Sequence, residues 1–194
     1  MSPGDIILAR HGEPALSRAV RLTSDGYREW WALYEAGGLK EGQSPPEDLV
    51  IFAGRARVLL SSTRRRAMES VAAIVGDKPF FSDPIFVEAP LPPPPLPGWI
   101  RLSPKLWGFL SRTCWWFLDF HEGEESRAQA AARARIAAGR LIELAAQGDV
   151  LLVAHGFFNT MIVRALKARG WSYAANQGWK YWSVKRLKRP AGLG

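Results

Sequence analysis

The sequence is poor in residues that hold disulfide-bonded or metal-dependent folds together. Its 194 residues include one cysteine, Cys114, and three histidines. An intrachain disulfide is therefore impossible, and the three histidines have no close metal-ligand spacing. We expect no disulfide, no bound metal and no cofactor. Because nothing in the cysteine content requires an oxidising compartment, the predicted location is the cytoplasm.

Long hydrophobic runs are also missing. The longest apolar stretch, residues 106–120, is interrupted by Arg112 and is short for a bilayer span. The N-terminus enters its first apolar segment without the basic region and hydrophobic core of a signal peptide. We therefore expect neither a membrane-inserted protein nor a membrane partner.

Negative charge is in deficit. The net charge of +8 and the pI of about 10.1 favour anionic partners. Basic residues cluster at 64–66 and 185–189, but no recognition helix, zinc finger or aromatic-basic sheet motif accompanies them. A nucleic-acid partner is thus disfavoured, and the second cluster is interpreted as a solvated end of the chain.

Two segments with the pattern of buried strands end at a His-Gly pair. Residues 5–9 lead into His11-Gly12, and residues 149–154 lead into His155-Gly156. Ligands of parallel α/β sheets bind beyond the carboxyl ends of the strands. The pattern therefore predicts that both imidazoles belong to one site.

A third apolar segment brings arginines toward the same edge. Residues 58–60 read as a strand and lead through two serines into three consecutive arginines, where a helix is predicted to begin. Turns from a strand into a helix favour anions, because the first helical amides are free to donate. Arginine at this position therefore indicates an anion site.

The remaining pattern alternates helices with extended segments. Cap residues and apolar spacing predict helices at 24–36, 64–75, 126–146 and 157–168, and another that starts at 103–104 and includes residue 117. An extended segment is predicted at 79–88 and an edge strand at 180–187. The prolines of residues 89–98 predict a stiff loop. We expect one α/β domain over residues 1–194, with a mostly parallel sheet, helices on both faces, and a Pro/Trp-rich insert at about 89–120.

Three motifs occur in the order found in one known family. Arg10-His11-Gly12 is an R-H-G opening, Ser62, Arg66, Ala67 and Ser70 fit S-x-x-x-R-A-x-x-[ST], and His155-Gly156 ends a late strand. A turn at 123–126 approximates the family's G-E-S motif. From about residue 5 to 186 the chain resembles the histidine phosphatase superfamily, also called phosphoglycerate-mutase-like. The resemblance implies that family's three-layer sandwich.

The resemblance also implies a mechanism. Phosphoryl transfer to an imidazole needs a neutral ring nitrogen facing phosphorus and cationic donors around the oxygens. The family pattern makes His11 the nucleophile, Arg10 and Arg66 phosphate ligands, and His155 a further phosphate-binding donor. The expected activity is a metal-independent phosphoric monoester hydrolase of the histidine acid phosphatase type, acting through a phosphohistidine.

A proton donor for the leaving group is also needed, and Glu88 is our prediction. It follows the apolar residues 85–87 and matches the place where the resembled family has its proton donor. The competing interpretation is a glutamate at a strand end that pairs with a surface arginine. His121 is the next candidate, although no motif surrounds it.

Departures from the family pattern keep other activities open. Pro14 replaces the threonine of the common R-H-G-x-T opening, and Ser17 replaces a frequent asparagine. A serine here can donate to phosphate or cap a turn. The alternatives are a phosphoglycerate-mutase-type phosphotransferase and a non-catalytic phosphate-binding or interaction module. Hydrolysis is favoured because the insert is proline-rich and the chain compact, and the expected partner is a small phosphorylated substrate or a phosphoprotein.

The aromatic insert has two competing interpretations. Trp99, Arg101 and Trp107 are predicted to cover the pocket and select the substrate, unless they pack in the core. Residues 115–117 are predicted to lie in the core or at a dimer interface, because a helix this apolar must bury one face. A homodimer is therefore a possible assembly.

Overall fold

The structure, a computed structural model, describes residues 3–190. Six strands in this part of the chain form one mixed sheet. The ends of the predicted domain, residues 1–2 and 191–194, lie outside the described residues. The strand order is β3-β2-β4-β1-β6-β5. The strands are β1 (Ile6–Arg10), β2 (Val58–Ser61), β3 (Phe81–Ser82), β4 (Val150–Ala154), β5 (Ser172–Asn176) and β6 (Val184–Lys188).

The four strands β3, β2, β4 and β1 are parallel, and β6 and β5 extend the sheet antiparallel. The mostly parallel α/β sheet is therefore confirmed. The predicted edge position of the last strand is wrong, because β6 lies between β1 and β5. The edge strand β5 was missed, since its five residues are all exposed and carry no apolar alternation.

Helices cover both faces of the sheet. The strands alternate their side chains, so that Ile6 and Leu8 of β1 face one apolar layer and Ile7 and Ala9 the other. The first layer contains α5 and α6, and the second contains α2 and α3. The helices are α1 (Ser24–Ala36), α2 (Glu47–Arg55), α3 (Arg65–Val75), α4 (Pro104–Leu118), α5 (Arg127–Ala145) and α6 (Gly156–Lys167).

Local signals explain most helix starts. The side chains of Thr23, Ser103 and Ser126 accept backbone N–H groups at the N-termini of α1, α4 and α5, and Ser126 forms a capping box with Gln129. Helix α2 was missed, although Pro46 precedes it and two acidic residues occupy its first turn. These signals were sufficient to predict it.

The segment before the proline loop differs from the prediction. Only Phe81–Ser82 is a strand, and residues 84–86 form a 3₁₀ turn instead of a strand end. The Asp83 side chain accepts the Ile85 backbone N–H at 2.8 Å, and Pro84 occupies the first position of the turn. This side-chain acceptor and the proline together stop the strand.

The basic C-terminal cluster is only in part the solvated end that the sequence predicts, because Lys188 and Arg189 are exposed whereas Lys185 and Arg186 make contacts within the sheet. Lys185 is 6% exposed, and its ammonium lies 4.8 Å from the centre of the Trp179 ring. Arg186 pairs with Asp5 at 2.6 Å. Both contacts follow from the inner position of β6.

A third apolar cluster joins α1 and α4 beside the sheet. Tyr27 stacks on both Trp30 and Trp107, and the Trp107 indole donates to the Leu22 carbonyl at 2.7 Å. Trp107 and Trp115 are fully buried, which confirms the core interpretation for both. Trp99, by contrast, is 81% exposed. The cluster fixes α4 relative to α1.

Candidate active site

His11 lies at the end of β1 and is almost fully buried. Its Nδ1 is 2.7 Å from the Gly12 carbonyl oxygen, which can only accept, so Nδ1 carries the proton. Nε2 therefore holds a lone pair, and it accepts from Nε of Arg66 at 3.3 Å. This tautomer places the ring's lone pair on the nitrogen opposite the main chain, which can act as a nucleophile once the Arg66 bond is released.

Arg66 connects both histidines to α1. Its Nη2 lies 3.2 Å from Nδ1 of His155 and 2.6 Å from a Glu35 carboxylate oxygen. Its Nη1 donates to the backbone carbonyls of Tyr34 and Glu35 at 3.0 and 3.3 Å. These carbonyls belong to the last turn of α1, which has no further helical amides to satisfy them. The buried guanidinium is thus held from three sides.

His155 sits between Arg66 and Ser62. Because the guanidinium can only donate, Nδ1 accepts from Arg66, and the proton of the neutral ring lies on Nε2, 2.7 Å from the Ser62 Oγ. The ring centres of His11 and His155 are 5.2 Å apart. The two imidazoles therefore share one site, as the strand ends predict.

Ser70 is the last residue of the S-x-x-x-R-A-x-x-[ST] motif, and its hydrogen bonds show why a hydroxyl is needed there. Its Oγ accepts the Gly12 backbone N–H at 2.9 Å and donates to the Arg66 carbonyl at 2.6 Å. It thereby ties the loop after β1 to α3. Gly12 itself must be small, because a Cβ there would overlap the Trp182 indole.

Both imidazoles are neutral in this environment. Burial first, and then Arg66 and Arg10, hold the pKa of His11 well below its ordinary value of 6.5. Burial, Arg66 and His11 lower the pKa of His155 in the same direction. A neutral His11 with its lone pair on Nε2 is what an imidazole nucleophile requires.

Two further arginines flank His11. The Arg10 guanidinium lies 4.4 Å from the centre of the Tyr181 ring and donates to the Trp179 carbonyl, and its buried Nε has no partner. Arg18 donates to the Tyr34 hydroxyl at 2.8 Å. Aromatic faces and neutral oxygens orient both cations without cancelling their charge.

Glu88 reaches the site from the proline loop. Its Oε1 accepts the backbone N–H groups of Phe158 and Ala89 at 2.8 and 3.0 Å, and its Oε2 accepts that of Phe157 at 3.2 Å. The carboxylate thus occupies the N-terminus of α6, where negative charge is stabilised. The competing interpretation, a glutamate paired with a surface arginine, does not describe these contacts.

Both histidines, their neighbouring arginines and Glu88 open onto one cleft of about 400 Å³. Five cationic side chains and one carboxylate line it, together with aromatic residues of α1 and the start of α6. The charged members are Arg10, Arg18, Arg66, Lys105, Arg112 and Glu88, beside both histidines. A cleft of this composition can bind a phosphorylated molecule next to a neutral imidazole.

The sequence model of the histidine phosphatase superfamily (branch 1) matches residues 6–192. The chain belongs to this superfamily. No curated protein sequence matches the chain. The family and the α/β fold predicted from the three motifs are therefore confirmed.

Solved structures of the superfamily fold resemble the chain at low identity. A protein from an open reading frame of Mycobacterium tuberculosis is 20% identical, with a TM-score of 0.63, covering 97% of this chain and 93% of that one. A mutant phosphoserine phosphatase of Entamoeba histolytica in complex with phosphoserine, in which a histidine is replaced by alanine, is 13% identical with a TM-score of 0.60 (97% and 92%). A mycobacterial glucosyl-3-phosphoglycerate phosphatase complexed with VO3 is 19% identical with a TM-score of 0.57 (95% and 92%).

Some residues singled out from the sequence lie elsewhere. The Ser17 hydroxyl accepts the Ala19 backbone N–H at 3.1 Å, so it caps a turn. His121, Trp99 and Arg101 do not line the cleft. The insert does line it, but through α4 and the residue Leu91 rather than through the predicted tryptophans.

Four functional candidates were missed. Arg18, Glu35, Lys105 and Arg112 belong to none of the superfamily motifs and reach the site only through tertiary packing. The one available signal was Arg112, a charge inside an otherwise apolar helix. Such an arginine must find a polar partner or a solvent-filled cleft.

The described residues contain neither a metal-ligand cluster nor a membrane-spanning helix. Within residues 3–190, no group of three or more His, Cys, Asp or Glu side chains is arranged to hold a metal ion. In the same residues, no helix combines the length and the apolar character needed to cross a membrane.

Proposed function

We propose that this chain is a metal-independent phosphatase that hydrolyses a small phosphomonoester through a phosphohistidine on His11. The observation that carries the proposal is the His11 tautomer, with Nδ1 bonded to the main chain and Nε2 facing Arg66. Two superfamily structures of this fold are named as phosphatases, one of them bound to phosphoserine. The size of the cleft favours a small substrate over a phosphoprotein.

The reaction proceeds in two transfers. The reacting form carries a proton on Oε2 of Glu88. Nε2 of His11 attacks phosphorus, the P–N bond forms, and the bond to the leaving oxygen breaks while that oxygen takes this proton and leaves Glu88 as a carboxylate. Water then attacks the phosphohistidine, gives its proton back to Glu88, and releases orthophosphate and free His11. Each step conserves atoms and charge.

Arg66 and Arg10 stabilise the transferring phosphoryl group. All five N–H donors of Arg66 already have acceptors, so its Nε must exchange the His11 nitrogen for a phosphate oxygen when His11 attacks, whereas Arg10 has a buried Nε without a partner. Charge-assisted bonds to the equatorial oxygens are stronger than neutral ones. His155 is the third proposed phosphate ligand. In the neutral ring the one proton lies on Nε2 and is donated to Ser62. Donation from Nδ1 to phosphate therefore requires the other tautomer.

Glu88 is the proposed proton carrier because it lines the same cleft as His11. Its Oε2 accepts a single hydrogen bond and so retains a lone pair that a proton can occupy. Glu88→Gln is expected to slow alkyl phosphates much more than p-nitrophenyl phosphate, whose phenolate leaves without help. Equal slowing of both substrates would show that a group other than Glu88 donates the proton to the leaving oxygen.

The decisive experiment is to trap the intermediate. The wild-type protein is quenched with base during turnover of a ³²P-labelled phosphomonoester, and acid-labile label on the protein is measured. We expect labelling of the wild type, and neither label nor turnover with His11→Ala. His121→Ala is the matched control, because it removes a histidine outside the cleft.

Two results would overturn the proposal. Turnover by folded His11→Ala at more than about one-hundredth of the wild-type rate would exclude His11 as nucleophile. Phosphate binding by a wild type that hydrolyses no member of a broad phosphomonoester panel would identify a non-catalytic phosphate-binding module instead.

A further inference from the structure

Helix α4 presents one polar stripe to the cleft from an otherwise apolar segment. Lys105, Gly108 and Arg112 all line the cleft, at positions i, i+3 and i+7 of the same helical face. The outward side of the helix carries exposed apolar residues instead, among them Phe109 at 73%. The stripe therefore has a different chemical character from the helix around it.

Gly108 keeps space open in the middle of this stripe. A glycine inside a helix is unfavourable relative to alanine, because it loses more backbone freedom on folding. Within 4 Å, a Cβ at this position would meet only the Tyr27 hydroxyl, at 3.6 Å. The missing side chain leaves room between the two cations.

Arg112 is fixed in place, and within residues 3–190 no carboxylate forms a direct ion pair with it. Its guanidinium lies 3.8 Å from the centre of the Phe157 ring and donates to the Pro90 and Ala89 carbonyls at 3.3 and 3.2 Å. Burial lowers its pKa to about 10, so it is still charged at neutral pH. Its remaining N–H donors are free for a ligand.

Neutralising carboxylates are missing around the stripe. In the described part of the chain, no carboxylate oxygen lies within 4.0 Å of a charged nitrogen of Lys105 or Arg112. Glu88 is close enough to Arg112 to act on it electrostatically, but it is bonded to the N-terminus of α6. A partly buried guanidinium without an ion-pair partner, with an exposed ammonium on the same helical face, favours an anionic ligand.

From this stripe we infer that the cleft has a second anion subsite, formed by Lys105 and Arg112, and that the substrate carries a second anionic group beside its phosphomonoester. The inference rests on the proposed function, because Arg10, Arg66 and His11 are already assigned to the transferred phosphoryl group. The second group is a carboxylate or another phosphate, since both match a guanidinium with free donors.

Binding to His11→Ala tests this subsite without turnover. The first ligand pair, 3-phosphoglycerate and glycerol 3-phosphate, shares a three-carbon chain and differs in a carboxylate against a hydroxymethyl group. The second pair, fructose 1,6-bisphosphate and fructose 6-phosphate, tests a second phosphate. Calorimetry then gives the affinity ratio within each pair.

We expect 3-phosphoglycerate, fructose 1,6-bisphosphate or both to bind roughly tenfold or more tightly than the other ligand of the same pair, which lacks the second anionic group. This is the usual effect of a hydrogen bond to a charged group. Adding Arg112→Met is expected to bring that ratio close to one. Lys105→Met is expected to lower it about threefold, since this ammonium is exposed. Arg101→Met, an exposed cation of the same insert outside the cleft, is the control and should change nothing.

The outcomes separate the subsite from the catalytic proposal. Equal affinities within both pairs, or a preference that survives in both Arg112→Met and Lys105→Met, would overturn the subsite. If Arg112→Met does not fold, as judged by circular dichroism, the affinity ratio of Lys105→Met alone tests the subsite, and an unchanged ratio in that variant would overturn it. A preference for doubly anionic ligands in His11→Ala, together with a wild type that hydrolyses no member of the phosphomonoester panel, would support the subsite and refute the phosphatase.

Discussion

Acidification is expected to destabilise the protein through its two buried histidines. Both have a folded-state pKa well below 6.5, chiefly because of burial and then of the Arg66 charge. Below pH 6.5 the unfolded chain therefore binds protons that the native chain does not. The contribution of the two neutral histidines to the free energy of unfolding is therefore fully present above pH 6.5 and decreases as the pH falls below it.

The size of the effect follows from linkage. For a group with an unfolded pKa of 6.5 that stays neutral in the native state, the loss at pH 5.5 is about 1.4 kcal/mol. Two such histidines lose about 3 kcal/mol together, a large share of the roughly 5–15 kcal/mol that typically stabilises a domain. The loss is not reduced for solvent screening, because His11 is 2% and His155 1% exposed.

Urea unfolding at pH 7.5 and pH 5.5 measures this loss. With a typical urea m-value of about 2–3 kcal/mol/M, the midpoint should fall by roughly 1 M or more. His11→Gln and His155→Gln, measured separately in phosphate-free buffer, should each show about half of the wild-type pH dependence. An identical pH dependence in the wild type and in both variants would refute the assignment to these imidazoles.

Three further predictions concern single side chains. Ser70→Ala should cost about 1–3 kcal/mol in chemical denaturation, because it leaves the buried Gly12 N–H unsatisfied, and it should also slow turnover. Gly12→Ala should reduce kcat at least tenfold with some loss of thermal stability, because its Cβ meets Trp182; wild-type kinetics would contradict the close packing. Gly108→Ala should raise stability by about 1 kcal/mol, seen as an increase in Tm of a few degrees, because alanine favours the helix and its Cβ meets only a hydroxyl.

The sequence was sufficient to predict the centre of the site, because strand-end residues of a parallel sheet converge by topology alone. His11 and His155 end adjacent strands, β1 and β4, and Arg66 begins the helix that follows β2. No long-range packing needs to be known for this convergence. The three motifs then identify the family.

The rim of the cleft could not be predicted in the same way. Lys105 and Arg112 reach it because α4 packs on α1 through Tyr27 and Trp107, a contact between segments far apart in sequence. The family pattern predicts Glu88 at the cleft, but the 3₁₀ turn at residues 84–86 before it and the anchoring of its carboxylate by the backbone of α6 were not predicted. Such tertiary details leave no periodic signal in one sequence.

The contacts of Arg66 divide the cleft into a part that tolerates redesign and a part that does not. The same guanidinium closes the end of α1 and touches both imidazoles, so a change in the last turn of α1 is transmitted to the reacting nitrogen. Lysine cannot replace it, because one ammonium has three donors where this fork serves five acceptors. The stripe of α4 has no such bond to either histidine. New substrate preferences can therefore be engineered by substitution on α4, while the α1 side stays constant.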